Sequence, residues 1–149
     1  MQPEMRQTLA ELLGADGWVL RELPGSEGLA TTVKTEANSW SMMLLGADDE
    51  RVISCYSLLP SVVPEAGRAA VAEGLTRLNY GLLVGAFELD LDDGEVRCRT
   101  SIDFVDEAVN PSLLRALVGR NVAMAERYFP TIIAIGAGRA SPNALGDAG

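Results

Sequence analysis

Apolar and polar positions alternate along residues 85–104 so regularly that they read as two strands of one antiparallel hairpin. Phe87, Leu89 and Leu91 fall on one face, Glu88 and Asp90 on the other. Beyond Asp93-Gly94, Val96, Cys98, Ile102 and Phe104 point inward, with Arg97, Arg99 and Asp103 outward. Asp-Gly suits a two-residue turn, because glycine takes a positive φ without steric cost. That turn sets Asp90 opposite Arg97, Glu88 opposite Arg99, Leu91 opposite Val96 and Leu89 opposite Cys98. One register then pairs opposite charges on the wet side and apolar groups on the dry side.

A helical period appears in three places. Residues 3–13 carry a stripe of Met5, Leu9, Leu12 and Leu13, with Pro3 in the first turn and Gly14 at the exit. A second helix starts at Pro64-Glu65 and runs to about Leu78, with Val71, Leu75 and Leu78 buried and Asn79 closing it. Asn110-Pro111 caps a third, whose face is Leu114, Leu117, Val118, Asn121, Ala125, Tyr128 and Ile132; Pro130 predicts a kink or an end nearby. Asn121 on that apolar stripe either bonds a neighbouring strand end or lies at an interface.

Between the helices, Trp18–Leu20 starts a short strand and residues 29–35 form a weaker one. Strands over 39–46 and 51–58 are joined by Ala47-Asp48-Asp49-Glu50. Their simplest register pairs Leu44 with Ile53 and Met42 with Cys55 on one face, Leu45 with Val52 and Met43 with Ser54 on the other. Apolar groups on both faces are unusual for a sheet wet on one side. Met43, Leu45, Val52 and Tyr56 are therefore the candidate protein-interaction residues: methionine adapts to irregular partners, and tyrosine adds area with a polar end. The alternative is that a helix of the same chain covers them.

These elements define an α+β fold: one domain over residues 1–135, with an antiparallel sheet of about five strands and three helices in the order α-β-β-β-α-β-β-α. A flexible tail rich in Gly, Ala, Pro and Ser is expected over 136–149. At 149 residues the chain can bury roughly 68–70 % of its unfolded surface, so the fold calls for no metal or disulfide.

Charge narrows the partners. The net charge is −9, from 21 acidic and 12 basic side chains, which opposes direct binding of nucleic acid or an anionic membrane and favours encounter with basic proteins. The N-terminus lacks a basic-then-apolar leader and no stretch reaches spanning length, so a cytoplasmic location is expected.

Chemistry is narrowed as well. There is no histidine, which removes the commonest general base and the usual nitrogen ligand for metals. Cys55 and Cys98 lack metal or redox spacing and read as small buried residues. Asp90, Asp92, Asp93 and Glu95 do not fit a calcium loop: counted from Asp90, glycine comes fifth and Ser101 twelfth. They read as a hairpin tip, and Asp48-Asp49-Glu50 likewise. The glycines at 81 and 85 match no phosphate-loop pattern, and Tyr80 beside them reads as packed with its hydroxyl satisfied. No catalytic residue, metal ligand or cofactor is expected, and the chain reads as a non-enzyme.

Several segments together resemble the YbjN family of small bacterial proteins: Ser57-Leu58-Leu59-Pro60, Asn79-Tyr80-Gly81, Gly85-Ala86-Phe87-Glu88, Asp93-Gly94-Glu95-Val96-Arg97, Arg99-Thr100-Ser101-Ile102-Asp103 and Tyr128-Phe129-Pro130. The resemblance covers roughly residues 15–135 and rests on turn and packing signatures. It implies a fold like that of type III secretion chaperones, commonly dimeric, and a chaperone- or adaptor-like module that binds a client protein; it transfers no functional residue. The expected partners are a second copy and a client, which the charge makes basic and which could itself bind nucleic acid. A sensory domain with a small molecule between sheet and helices is the alternative reading.

Overall fold

A chain whose strands are apolar on alternate residues and whose helices carry one apolar stripe can bury both only by laying the helices on one face of a sheet. In the computed structural model, which describes residues 1–46, 51–104 and 108–146, this is the arrangement. Helix α1 (Pro3–Ala15) precedes strands β1 (Arg21–Glu22), β2 (Leu29–Lys34), β3 (Ser39–Gly46) and β4 (Val52–Leu58). A 3₁₀ turn at Glu65–Gly67 leads into α2 (Arg68–Gly81), then β5 (Ala86–Leu89), β6 (Val96–Asp103), α3 (Pro111–Gly136) and α4 (Asn143–Gly146). The strands form one antiparallel sheet in the order β1-β2-β3-β4-β6-β5.

The described residues thus hold six strands and four helices, against about five and three expected. The additional pieces are short. Trp18–Leu20 belongs to no strand, and the edge strand forms just after it at Arg21–Glu22. The tail expected to be flexible from Gly136 is corrected in part: the chain turns at Gly138 (φ 74°), and α4 buries Leu145 against α2, with Gly74 beneath it. Pro130 does not end α3, because Tyr128, Phe129, Ile132 and Ile135 are buried on both sides of it. Burying four such side chains outweighs the roughly 3 kcal/mol that an internal proline costs.

Both hairpins keep the predicted faces and slip in register by two residues. Leu89 pairs with Val96 and Glu88 with Arg97; Leu44 pairs with Cys55 and Met43 with Tyr56. A slip of two leaves every side chain on its own face, so the hydrophobic pattern does not distinguish the two registers. At the β5–β6 tip the turn chemistry decides. The Asp90 N–H donates to the Glu95 carbonyl, and the loop between them is four residues long instead of two. Carboxylates of Asp90 and Asp93 accept the N–H groups of Asp92 and Glu95, and Arg68 of α2 donates to the carbonyls of Val63, Leu91 and Asp92. Leu91, expected inward, is therefore displaced into the exposed turn. The Ala47–Glu50 connection lies outside the described residues.

Asn121 answers the question its position posed. It is fully buried, and its side chain ties α3 to the sheet. Nδ2 donates to the carbonyls of Cys55 (2.8 Å) and Cys98 (3.0 Å), and Oδ1 accepts from Ser57 Oγ (2.5 Å), which in turn accepts from Trp40 Nε1 (2.8 Å). Thr100 Oγ1 donates to the Leu117 carbonyl, a second bond between β6 and α3. Around this polar centre pack Trp40 and Phe129, edge to face at 5.7 Å, and Phe87 and Tyr128 at the same separation.

Asn79 does more than close α2. Its Nδ2 donates to the Phe87 carbonyl (2.8 Å) and its Oδ1 accepts the Phe87 N–H (2.9 Å). The amide occupies the outer edge of β5 where a further strand would pair.

Two stability predictions follow from this packing. Replacing Asn121 by Leu strands the buried Ser57 hydroxyl and removes both carbonyl bonds, and should cost about 2–4 kcal/mol in urea unfolding. Gly67→Ala places a Cβ against the Gly136 carbonyl, backbone on backbone, and should lower stability by at least about 2 kcal/mol.

Candidate functional site

Alternation puts every second residue of the strands on the face away from the helices. α3 reaches the sheet through Cys55, Cys98 and Thr100, and its aromatics meet Trp40 and Phe87, all on the opposite face. The helix-free face therefore carries a cross-strand row of Ala30, Met43, Tyr56, Arg99 and Ala86, each directly opposite the next. Leu45 is opposite Ser54, and Val52 is opposite Asp103. The four residues singled out in the sequence thus share one face, and each is half-buried by its cross-strand neighbours.

What the apolar pattern did not reveal is the charge set among them. Glu88 Oε2 accepts from Arg97 Nε (2.5 Å) and its Oε1 from Arg99 Nε (2.6 Å), so one carboxylate serves two guanidinium groups. The Arg97 guanidinium carbon lies 4.6 Å from the Tyr56 ring centroid, a cation–π contact. Ser54 and Ser101 share a hydrogen bond of 2.8 Å beside it. Partial burial by itself would raise the Glu88 carboxyl, but hydrogen bonds and charge from Arg99 and Arg97 outweigh it and hold the group below the usual carboxylate range. The signal was present as Glu88, Arg97 and Arg99 at outward positions; only the register shows both arginines meeting one acid.

A second surface was missed. Tyr80 is 97 % exposed and Leu83 is 99 % exposed, so Tyr80 is not packed as expected. Tyr80 stands in the last turn of α2 and Leu83 in the connection to β5, within a stretch, residues 78–87, that holds no charge. Two glycines framing apolar residues in a turn were the available signal.

Neither thiol is placed for chemistry. Cys55 and Cys98 are free and buried; burial pushes Cys98 up to about 12 and raises Cys55 as well, with the neighbouring Cys98 adding to it. The carboxylates of Asp90 and Asp93 are engaged by turn N–H groups, and among the described residues no three acidic or thiol groups converge as a metal site. No helix among the described residues is long and apolar enough to cross a membrane.

Comparison with known proteins places these surfaces on a recognised scaffold. The sequence model of the YbjN family, described as "Putative bacterial sensory transduction regulator", matches residues 6–134. No curated protein matches the chain. Among solved structures, YbjN from E. coli, described as "a putative transcription regulator", has a TM-score of 0.66 at 15 % identity, covering 90 % of this chain and 92 % of that one. A chain of the ExsC-ExsE complex has a TM-score of 0.56 at 15 % identity, covering 87 % and 93 %. At such identities the likeness is one of fold.

The buried thiols give a direct check. At pH 8 neither Cys55 nor Cys98 should react with a soluble disulfide reagent until the chain unfolds, when both should. Because the folded thiols hold their protons above the unfolded value, their contribution to stability is complete below about pH 8.5 and is lost as pH rises toward 12. Urea midpoints measured from pH 8 upward should fall accordingly.

Proposed function

The chain belongs to the YbjN family, and from that premise we propose that it is a non-enzymatic protein-binding module, chaperone- or adaptor-like, acting in the cytoplasm as a homodimer. The observation that carries the reading is the helix-free sheet face, where Met43, Leu45, Val52 and Tyr56 on β3 and β4 lie on the same face as the Glu88–Arg97–Arg99 set of β5 and β6, with Tyr56 touching it. Such a face combines what protein interfaces favour: a tyrosine, a methionine and arginines already aligned by an internal partner. The related fold found in the ExsC-ExsE complex supports a binding role, since that structure holds two different proteins.

The client is a basic protein. A net charge of −9 steers it from a distance, and the exposed carboxylates at the β5–β6 tip supply local attraction. The two arginines nearest Tyr56 give the contact polarity and register, while apolar burial supplies affinity.

The test is affinity capture on the full chain, followed by calorimetry with the recovered partner. Met43→Asp and Tyr56→Ala should each weaken binding at least tenfold, and raising the salt should slow association. An absent partner, or binding that ignores both substitutions, defeats the reading.

A further inference from the structure

We propose that the cleft between Pro130 of α3 and the start of β3 binds a small, neutral, single-ring aromatic molecule. It does not rest on the sheet-face reading, because it uses the other side of the sheet. The cleft measures about 270 Å³, below the usual range for drug-sized ligands and suited to one ring.

Its lining fixes the chemistry. The floor is Trp40, Phe129 and Ala125, all buried, and the walls are Pro60, Pro130 and Ile133. No charged side chain is among the residues that line it, so a carboxylate or ammonium group would be desolvated there without a partner. The other described clefts differ: the one along the β5–β6 tip holds four carboxylates and Arg97, the one between α1 and α3 includes Asp16, Arg115 and Glu126, and the one at Gly25–Gly28 includes Glu27. In a molecule of charge −9, an uncharged apolar recess selects for neutral occupants.

The aromatic preference comes from the floor. Trp40 and Phe129 meet edge to face, with 82° between planes, and the Trp40 N–H is committed to Ser57. The cleft thus meets the hydrocarbon part of the indole, and a third ring can extend the same edge-to-face packing. Polar atoms sit at the mouth. Asn38 and Ser39 line it from the β3 side. One hydroxyl on the ring would find hydrogen-bonding partners there.

Phenol is the probe, with cyclohexanol, benzoate and a tyrosine-containing tetrapeptide as comparisons, followed by the two indole N–H resonances of the ¹⁵N-labelled full chain. Phenol should shift the Trp40 resonance saturably, with Kd on the order of 1 mM, and leave Trp18 in place. Cyclohexanol should bind at least threefold more weakly and benzoate at least tenfold. Ile133 is 39 % exposed, so Ile133→Glu should leave the chain folded with a cooperative melt yet weaken phenol at least tenfold, while Ile133→Leu stays within twofold. Met43→Asp and Tyr56→Ala should not alter phenol binding, which separates this site from the sheet face. Non-saturable shifts, equal shifts of both indoles, benzoate binding as tightly as phenol, or full binding by Ile133→Glu would overturn the proposal. A tetrapeptide binding at least tenfold tighter than phenol would overturn it too, because the occupant would then be polypeptide.

Discussion

Everything in this molecule is arranged around one buried amide. Asn121 stands on the apolar stripe of α3, and its hydrogen bonds reach β4 and β6 together, with β3 joined through Ser57 and Trp40. A buried amide is costly unless its donors and acceptor are matched, and here both ends are satisfied, as are the other buried side-chain polar atoms among the described residues. The requirement acts like a key. α3 fits only at the one rotation and depth where Nδ2 reaches the Cys55 and Cys98 carbonyls, so an otherwise greasy helix acquires a single seat on the sheet. Apolar packing alone tolerates sliding; a hydrogen-bonded centre does not.

That seat determines what remains outside. Helices held on one face leave the other to its own side chains, and there Glu88 keeps two arginines from repelling one another across adjacent positions of β6. The same one-sidedness leaves β5 as an edge. Asn79 closes that edge at Phe87 with paired bonds of the kind a neighbouring strand would make, which protects the sheet from adventitious strand addition.

The two proposed surfaces differ in physical character. The sheet face is broad and half-buried, with its paired charges toward the β5 edge, and is suited to a polypeptide. The Pro130 cleft is small and uncharged, with an aromatic floor. Trp40 links the cleft to the core: its ring forms the cleft floor, and its N–H bonds Ser57, which bonds Asn121. Occupancy of the cleft would therefore press on the group that seats α3.

Local periodicity in the sequence determined the class of fold, the faces of the strands and the stripes of the helices. Those properties depend on which way each side chain points, a matter of period two or 3.6. The four half-buried residues on the helix-free face were legible for that reason, as was the Asn110 cap of α3, which accepts from Ser112 and Leu113. Register, the path through Pro130, the seating of Leu145 and the exposure of Tyr80 were decided only in three dimensions. A two-residue slip changes no side chain's face, so the choice fell to turn hydrogen bonds at Asp90 and Asp93 and to Arg68, contributed by a different element. The role of Asn121 belongs with these: its position on the stripe was visible, but its partners are 21 to 66 residues away, and only the closed sheet brings them to one amide.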